Sequence, residues 1–164
     1  MPISMTTVLG IDPGLRHVGY GIITIANNQP RFGCCGTITP PARASTAARL
    51  ATIVDQLEQV IISERPSIMA IEKIFYHVSA AVAMNLGQAR GVALMLAGRH
   101  QMAVVELSAR LAKKTITSSG RADKTQMTAM VRLLLPGANP QTEHEADALA
   151  LALSAWQTQP LGGD

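Results

Sequence analysis

Residues 6–39 read TTVLGIDPGLRHVGYGIITIANNQPRFGCCGTIT, and their reading decides the fold. The run "TTVLGID" (Thr6–Asp12) is apolar and β-branched and stops at Pro13-Gly14. That is the pattern of a strand ended by a turn. "VGYGIITIA" (Val18–Ala26) is a second such run, "NNQP" (Asn27–Pro30) is a turn, and "RFGCCGTIT" (Arg31–Thr39) is a third strand. Two short connections predict a three-strand antiparallel meander, ended by Pro40-Pro41.

Outward from the meander the apolar period changes. Residues 44–63 place Leu50, Ile53, Val54, Leu57, Val60 and Ile61 at helical spacing. Pro66 precedes a short strand from Ser67 to Ile71 or beyond, and "MAVVEL" (Met102–Leu107) predicts another. Between them, residues 78–98 are rich in Ala, Leu and Met and predict a largely buried helix. Residues 108–115 and 123–134 predict two helices joined by a loop at Gly120, and a last helix follows Pro136-Gly137 and Asn139-Pro140. A meander followed by alternating units predicts an α/β fold with a mixed five-stranded sheet flanked by helices. The 164 residues suit one domain, expected over 1–157 with a short flexible tail at 158–164.

Composition narrows the class. The chain is 48% hydrophobic and 15% charged, too apolar for disorder. No run of roughly 18 apolar residues suggests a membrane span, and the N-terminus lacks the basic region of a secretory signal. The two cysteines, Cys34 and Cys35, are adjacent and build neither a disulfide framework nor a zinc site alone. A reducing cytoplasm is the expected location. Net charge is +3, unevenly spread: Arg99–Arg132 holds seven basic residues and two acids, so +5, leaving −2 elsewhere. A basic segment beside an acidic remainder suits either a polyanionic partner or a solvated helical face.

Three isolated acids carry the chemistry. Asp12 ends a strand before the glycine-rich "GLRHVGYG", where it either caps a turn or faces a ligand that approaches the backbone. Glu72 lies in "SIMAIEKIF", alternating with Ile68, Ala70 and Ile74 against Met69, Ile71 and Phe75. A carboxylate in a strand apolar on both faces needs an Arg partner, a metal or a strand end at solvent. Asp147 heads a face continued by Ala150, Leu151 and Ser154 in "TEHEADALALAL" (Thr142–Leu153). His144 and Glu143 share that face. Thr142 and Glu145 have capping-box spacing, with Asn139-Pro140 as a rival helix start. The helix dipole favours Glu143 and Glu145 there and helps keep His144 neutral. Three acids on a mixed sheet suit Mg²⁺ or Mn²⁺ and phosphodiester hydrolysis. Spacing alone does not bring them together.

Taken in order, "LGIDPGLRHVGYGII", "AIEKIF", "LGQARGVA", "ANPQ" and "EADALALAL" resemble the RuvC family of Holliday junction resolvases over roughly residues 7–155. The resemblance implies a ribonuclease H-like fold and a homodimeric, metal-dependent endonuclease. Such an enzyme nicks two strands of like polarity in a four-way DNA junction, leaving 5′-phosphate and 3′-hydroxyl ends. It implies two Mg²⁺ ions per site, with Mn²⁺ as a substitute, and Asp12, Glu72 and Asp147 as catalytic acids. The fourth family position falls on His144, as metal ligand or general base. Phe75 and Tyr76 match aromatics near the junction, Lys113 and Lys124 match phosphate contacts, and Arg16 is a DNA contact by position. Residues 78–98 match the dimer-forming helix. The family works with a branch-migration complex of a junction-binding protein and a ring motor, and the long basic tail of some relatives is not expected here. Two other readings fit parts of the pattern: an actin-like ATPase, which needs a second such domain, and a non-catalytic junction-binding module.

Overall fold

The computed structural model describes residues 5–74 and 79–158. Three strands form the expected meander: β1 (Met5–Asp12), β2 (Val18–Ala26) and β3 (Gln29–Ile38). They are followed by α1 (Thr46–Glu64), β4 (Ile68–Glu72), α2 (Ala80–Arg99), β5 (Ala103–Leu107), α3 (Ala109–Thr117), α4 (Lys124–Leu134) and α5 (Glu143–Thr158). The sheet order is β3-β2-β1-β4-β5. β1 runs antiparallel to β2 and parallel to β4, and β4 runs parallel to β5. The mixed sheet read from the sequence is therefore present.

The differences are local. β3 begins at Gln29 and includes Pro30; a proline with no donor is tolerated because β3 is an edge strand. The hairpin before it is a two-residue turn with Asn27 and Asn28 both at positive φ, 52° and 56°, which asparagine accepts more readily than most residues. Helices start one or two residues later than their periodicity suggests, because Ser45, Ser79, Ser108 and Asp123 are caps rather than first turns. The tail expected from 158 shifts as well: Thr158 is the last residue of α5, and 159–164 lie outside the described residues.

The sheet separates two cores. Leu9, Ile11, Ile22, Met69 and Ile71 point to one face and pack with Ile53, Leu57 and Ile61 of α1 and Ala93, Leu96 and Ala97 of α2. Val8, Ile23 and Ala70 point to the other, against Leu149–Leu153 of α5, with α3 and α4 packed outside that helix. Because α5 is covered on both sides, Ala148–Ala155 are all buried, and its sequence shows little polar face. α2 is the one described helix long and apolar enough to cross a bilayer; it packs on α1 and β5. It is not the largely buried helix its composition predicts, since only Ala89, Ala93, Leu96 and Ala97 are buried and Val82, Met84 and Met95 are exposed.

Helix α5 sits on a strip of strand with no side chains. Gly10 pairs with Gly21, and Asp12 with Gly19. A Cβ on Gly10 would fall well under 3.0 Å from the Ala148 carbonyl, and one on Gly19 equally close to the His144 carbonyl. We expect Gly10→Ala to destabilise the chain by about 3 kcal/mol or more, since backbone cannot yield as a side chain does. Gly98→Ala, where a Cβ meets nothing within 4 Å, should be neutral or stabilising by up to about 1 kcal/mol. Urea unfolding of the two variants checks this; equal effects would contradict the close seating of α5.

Candidate active site

One edge of the sheet gathers the acids. β1 ends at Asp12 and β4 at Glu72, and the parallel register sets Ile11 beside Ile71, so the two carboxylates leave adjacent strand ends. Asp12 shares the parity of Val8, and Glu72 that of Ala70, which puts both on the α5 face. The first turns of α5 lie over the same edge, because Gly19 lets the His144 backbone against β2. Asp12, Glu72, His144 and Asp147 are each half-buried.

Asp12 Oδ2 accepts a hydrogen bond from His144 Nδ1 at 2.7 Å. An ionised carboxylate only accepts, so this contact places a proton on Nδ1 and leaves Nε2 open. The His17 ring lies 5.3 Å from the His144 ring, centroid to centroid. Burial raises the Asp12 carboxyl above its ordinary range, against the lowering effect of the His144 contact. Glu72 is raised by burial and then by the charges of Asp12 and Asp147, with Lys113 acting the other way. Asp147 is pushed up to about 6 by burial and by Asp12. Burial is thus the main cause at all three acids, and Asp12 adds to it at Glu72 and Asp147. No ion pair from Lys or Arg reaches them among the described residues. That deficit of positive charge suits a divalent cation, and the oxygen donors suit a hard one. Among the described residues no three His, Cys, Asp or Glu side chains already form a ligand cluster, so the acids are not a preformed cage.

The Arg partner considered for Glu72 exists in another form. Arg90 of α2 donates from Nε to the Glu72 backbone carbonyl at 3.4 Å, not to its carboxylate, and its guanidinium pairs with Glu106 of β5. It therefore ties α2 to the end of the acid-bearing strand. Sequence reading assigns Arg90 no role; the signal was a charge in the middle of α2, whose other charged residue, Arg99, is at its end.

At the head of α5, Thr142 is the helix start and Asn139-Pro140 is not. Thr142 Oγ1 accepts from Glu145 N at 3.1 Å, but the Glu145 carboxylate reaches Gln141 N at 2.7 Å, one residue short of a reciprocal capping box. Glu145 is buried and also accepts from Thr37 Oγ1 at 3.1 Å and Cys35 Sγ at 3.7 Å. It anchors the helix head to β3. Burial and Glu145 together push the Cys35 thiol up to about 12. Glu143, read as a dipole partner, also pairs with Lys124 at the start of α4, which lowers the carboxyl and raises the amine.

Of the DNA contacts read from the sequence, Lys124 is exposed and held by Glu143, and Lys113 is half-buried on α3. Arg16 is exposed in the turn after β1. Phe75 and Tyr76 lie outside the described residues.

The family model for crossover junction endodeoxyribonuclease RuvC matches residues 8–155. The chain belongs to the RuvC family. The RuvC protein of Parvibaculum lavamentivorans is 46% identical over 153 residues, spanning 93% of this chain and 87% of that protein. The RuvC protein of Rhodopseudomonas palustris is 41% identical over 147 residues, 90% and 84% of the two chains. Thermus thermophilus RuvC in complex with a Holliday junction substrate superposes with a TM-score of 0.83 at 28% identity, covering 91% of this chain and 92% of that one. With membership comes the ribonuclease H-like fold expected from the motifs, and the two-domain ATPase reading falls away.

The raised Asp147 carboxyl makes a stability prediction. Its ordinary value is 3.8 and its value in the fold is about 6, so the unfolded chain ionises it more readily. The ionised group therefore destabilises the metal-free fold above pH 6, and this cost disappears below about pH 4. Asp147→Asn should stabilise metal-free protein by about 1–2 kcal/mol at pH 7.5, after allowance for partial exposure. The gain should shrink to nothing near pH 4. Urea melts in chelator across that range check it; a gain that persists at pH 4 would point to packing instead.

Proposed function

We propose that this chain resolves four-way DNA junctions, cutting two strands of like polarity by metal-dependent phosphodiester hydrolysis. The observation that carries the reading is the meeting of Asp12, Glu72, His144 and Asp147, from β1, β4 and α5, at one edge of the sheet. Asp12, Glu72 and Asp147 would hold the cations, Mg²⁺ or Mn²⁺, two per site. When bound, such ions supply Lewis-acid activation of the phosphodiester and of water.

The chain's own groups do the rest. Asp12 holds Nδ1–H of His144, which leaves Nε2 equally able to bind a cation or to take the proton of the attacking water. We assign His144 the general-base role, and the His144→Ala experiment below separates the two. Lys113 and Lys124 offset phosphate charge, and Glu143 keeps Lys124 over the site in the absence of DNA. The products are 5′-phosphate and 3′-hydroxyl ends. Phe75 and Tyr76, directly after the Glu72 strand, are the aromatics for unstacked junction bases.

A homodimer matches the near two-fold symmetry of the junction. α2 supports it: Met84 and Met95 lie three turns apart on one face and are 66% and 41% exposed, with Gly87 and Gly91 open beside them. The enzyme works in the cytoplasm with a branch-migration complex of junction-binding protein and ring motor.

A synthetic four-way junction incubated with Mg²⁺ or Mn²⁺ should yield paired symmetric nicks; binding without nicks in either metal would leave only the non-catalytic module. His144→Ala should lower kcat at least about 100-fold while Mn²⁺ affinity stays near wild type. Loss of Mn²⁺ binding would make His144 a ligand instead. Met84→Asp should give a monomer by light scattering and uncoordinated single nicks; an intact dimer would move the interface off α2.

A further inference from the structure

Beside the Asp12–His144 pair lies a cavity of about 240 Å³ lined by Arg16, His17, Thr39, Pro40, Ala42 and Arg49. No carboxylate lines it, and neither arginine has an ion-pair partner among the described residues. Arg49 stands in the first turn of α1, a helix of 19 residues with no acid in that turn. A cation there opposes the helix dipole. Its guanidinium donates to the Ala44 carbonyl from Nε at 3.2 Å and to the Ala42 carbonyl from Nη2. Two of its five donors are thus used in fixing the loop, and the others remain for a ligand. Thr39 Oγ1 and His17 Nδ1 share a hydrogen bond of 3.2 Å, and the His17 ring lies 5.3 Å from that of His144, centroid to centroid. Two guanidiniums and a hydroxyl around one cavity form a receptor for a tetrahedral oxyanion.

Its place in the sheet says which oxyanion. Registers set Val18 beside Ile38, Asp12 beside Gly19, and Glu72 beside Leu107. All five strands therefore reach the same edge. The cavity lies at the end of β3, while Lys113, on the helix that follows β5, is near enough for its charge to act on Glu72. Strands are spaced by ~4.8 Å, so β3 lies roughly 10 Å from β1, within reach of the same DNA strand.

We propose that Arg16, Arg49 and Thr39 bind a DNA backbone phosphate flanking the scissile one, so that the cut strand is gripped on both sides of the acids. This rests on the junction-cleaving reading of the site. The grip fixes the strand's register along the sheet edge, and Lys113 and Lys124 alone leave that register free on the β3 side.

Junction binding in chelator, followed by fluorescence anisotropy over a range of NaCl, tests it. Arg16→Gln and Arg49→Gln should each flatten the slope of log affinity against log salt by about 0.9, and Arg49→Lys should restore most of it. A second arm replaces single phosphates around the nick with neutral methylphosphonates. One flanking position should weaken wild-type binding several-fold and leave Arg49→Gln unaffected. Unchanged slopes, or no such position, would overturn the proposal. Arg49→Lys as impaired as Arg49→Gln would assign Arg49 to holding the loop and overturn its part. Wild-type nicking of the same junction in Mn²⁺ is read separately. Nicks with unchanged slopes sink the phosphate site alone, whereas the Arg49 signature without nicks sinks the cleavage reading alone.

Discussion

Helix α5 lies so close to β1 and β2 that a methyl group at Gly10 or Gly19 would overlap its backbone. Everything at the site follows from that seating. Asp12 and Glu72 are fixed by the sheet itself, through the parallel pairing of β1 with β4. His144 and Asp147 come from residues more than 130 positions later than Asp12 and are delivered by a helix that must touch the strands. Glycine at the paired positions Gly10 and Gly21 removes the side chains that would hold the helix farther from the sheet. Buried Glu145 then ties the helix head to β3 through Thr37 and Cys35, and Arg90 ties α2 to the end of β4.

The seating brings like charges together. Burial raises the proton affinity of all three half-buried carboxylates, and the charge of Asp12 adds to this at Glu72 and Asp147. Among the described residues no Lys or Arg forms an ion pair with them. Under the proposed function, such a site takes a cation between the acids and an anion across them. Folding stability is sacrificed locally for that readiness, in line with the general observation that strained electrostatics gather where ligands bind. Lys124 illustrates the same logic at the rim: it is held by Glu143, a surface pair weak enough for a phosphate to displace.

The meander, the helix periods and the punctuation by Pro13, Pro40 and Pro66 were readable because they are local signals. So were the four site residues as chemical types, although only the family motifs joined them. What was not readable was contact across the sequence. Glu145 looked like half of a capping box, since Thr142 and Glu145 have that spacing; its carboxylate instead serves Gln141, Thr37 and Cys35. Glu143 looked complete as a dipole partner, and Lys124 as a free phosphate contact, yet they hold each other. Arg49 drew no notice because a charged residue in a helix is ordinary; only the fold sets it against Arg16 and Thr39. The glycines after Asp12 read as room for a ligand to approach the backbone, whereas Gly19 makes room for a helix.

The central claim is that the seating of α5, not the mere presence of the four side chains, makes the site. Gly19→Ala keeps Asp12, Glu72, His144 and Asp147 and alters only that seating. Mn²⁺ titration by electron paramagnetic resonance, with the fold monitored by amide spectra, measures the consequence. The result predicted is a Gly19→Ala protein that keeps its sheet signals and binds Mn²⁺ at least about tenfold more weakly than wild type. Wild-type Mn²⁺ affinity in a folded Gly19→Ala protein would contradict it.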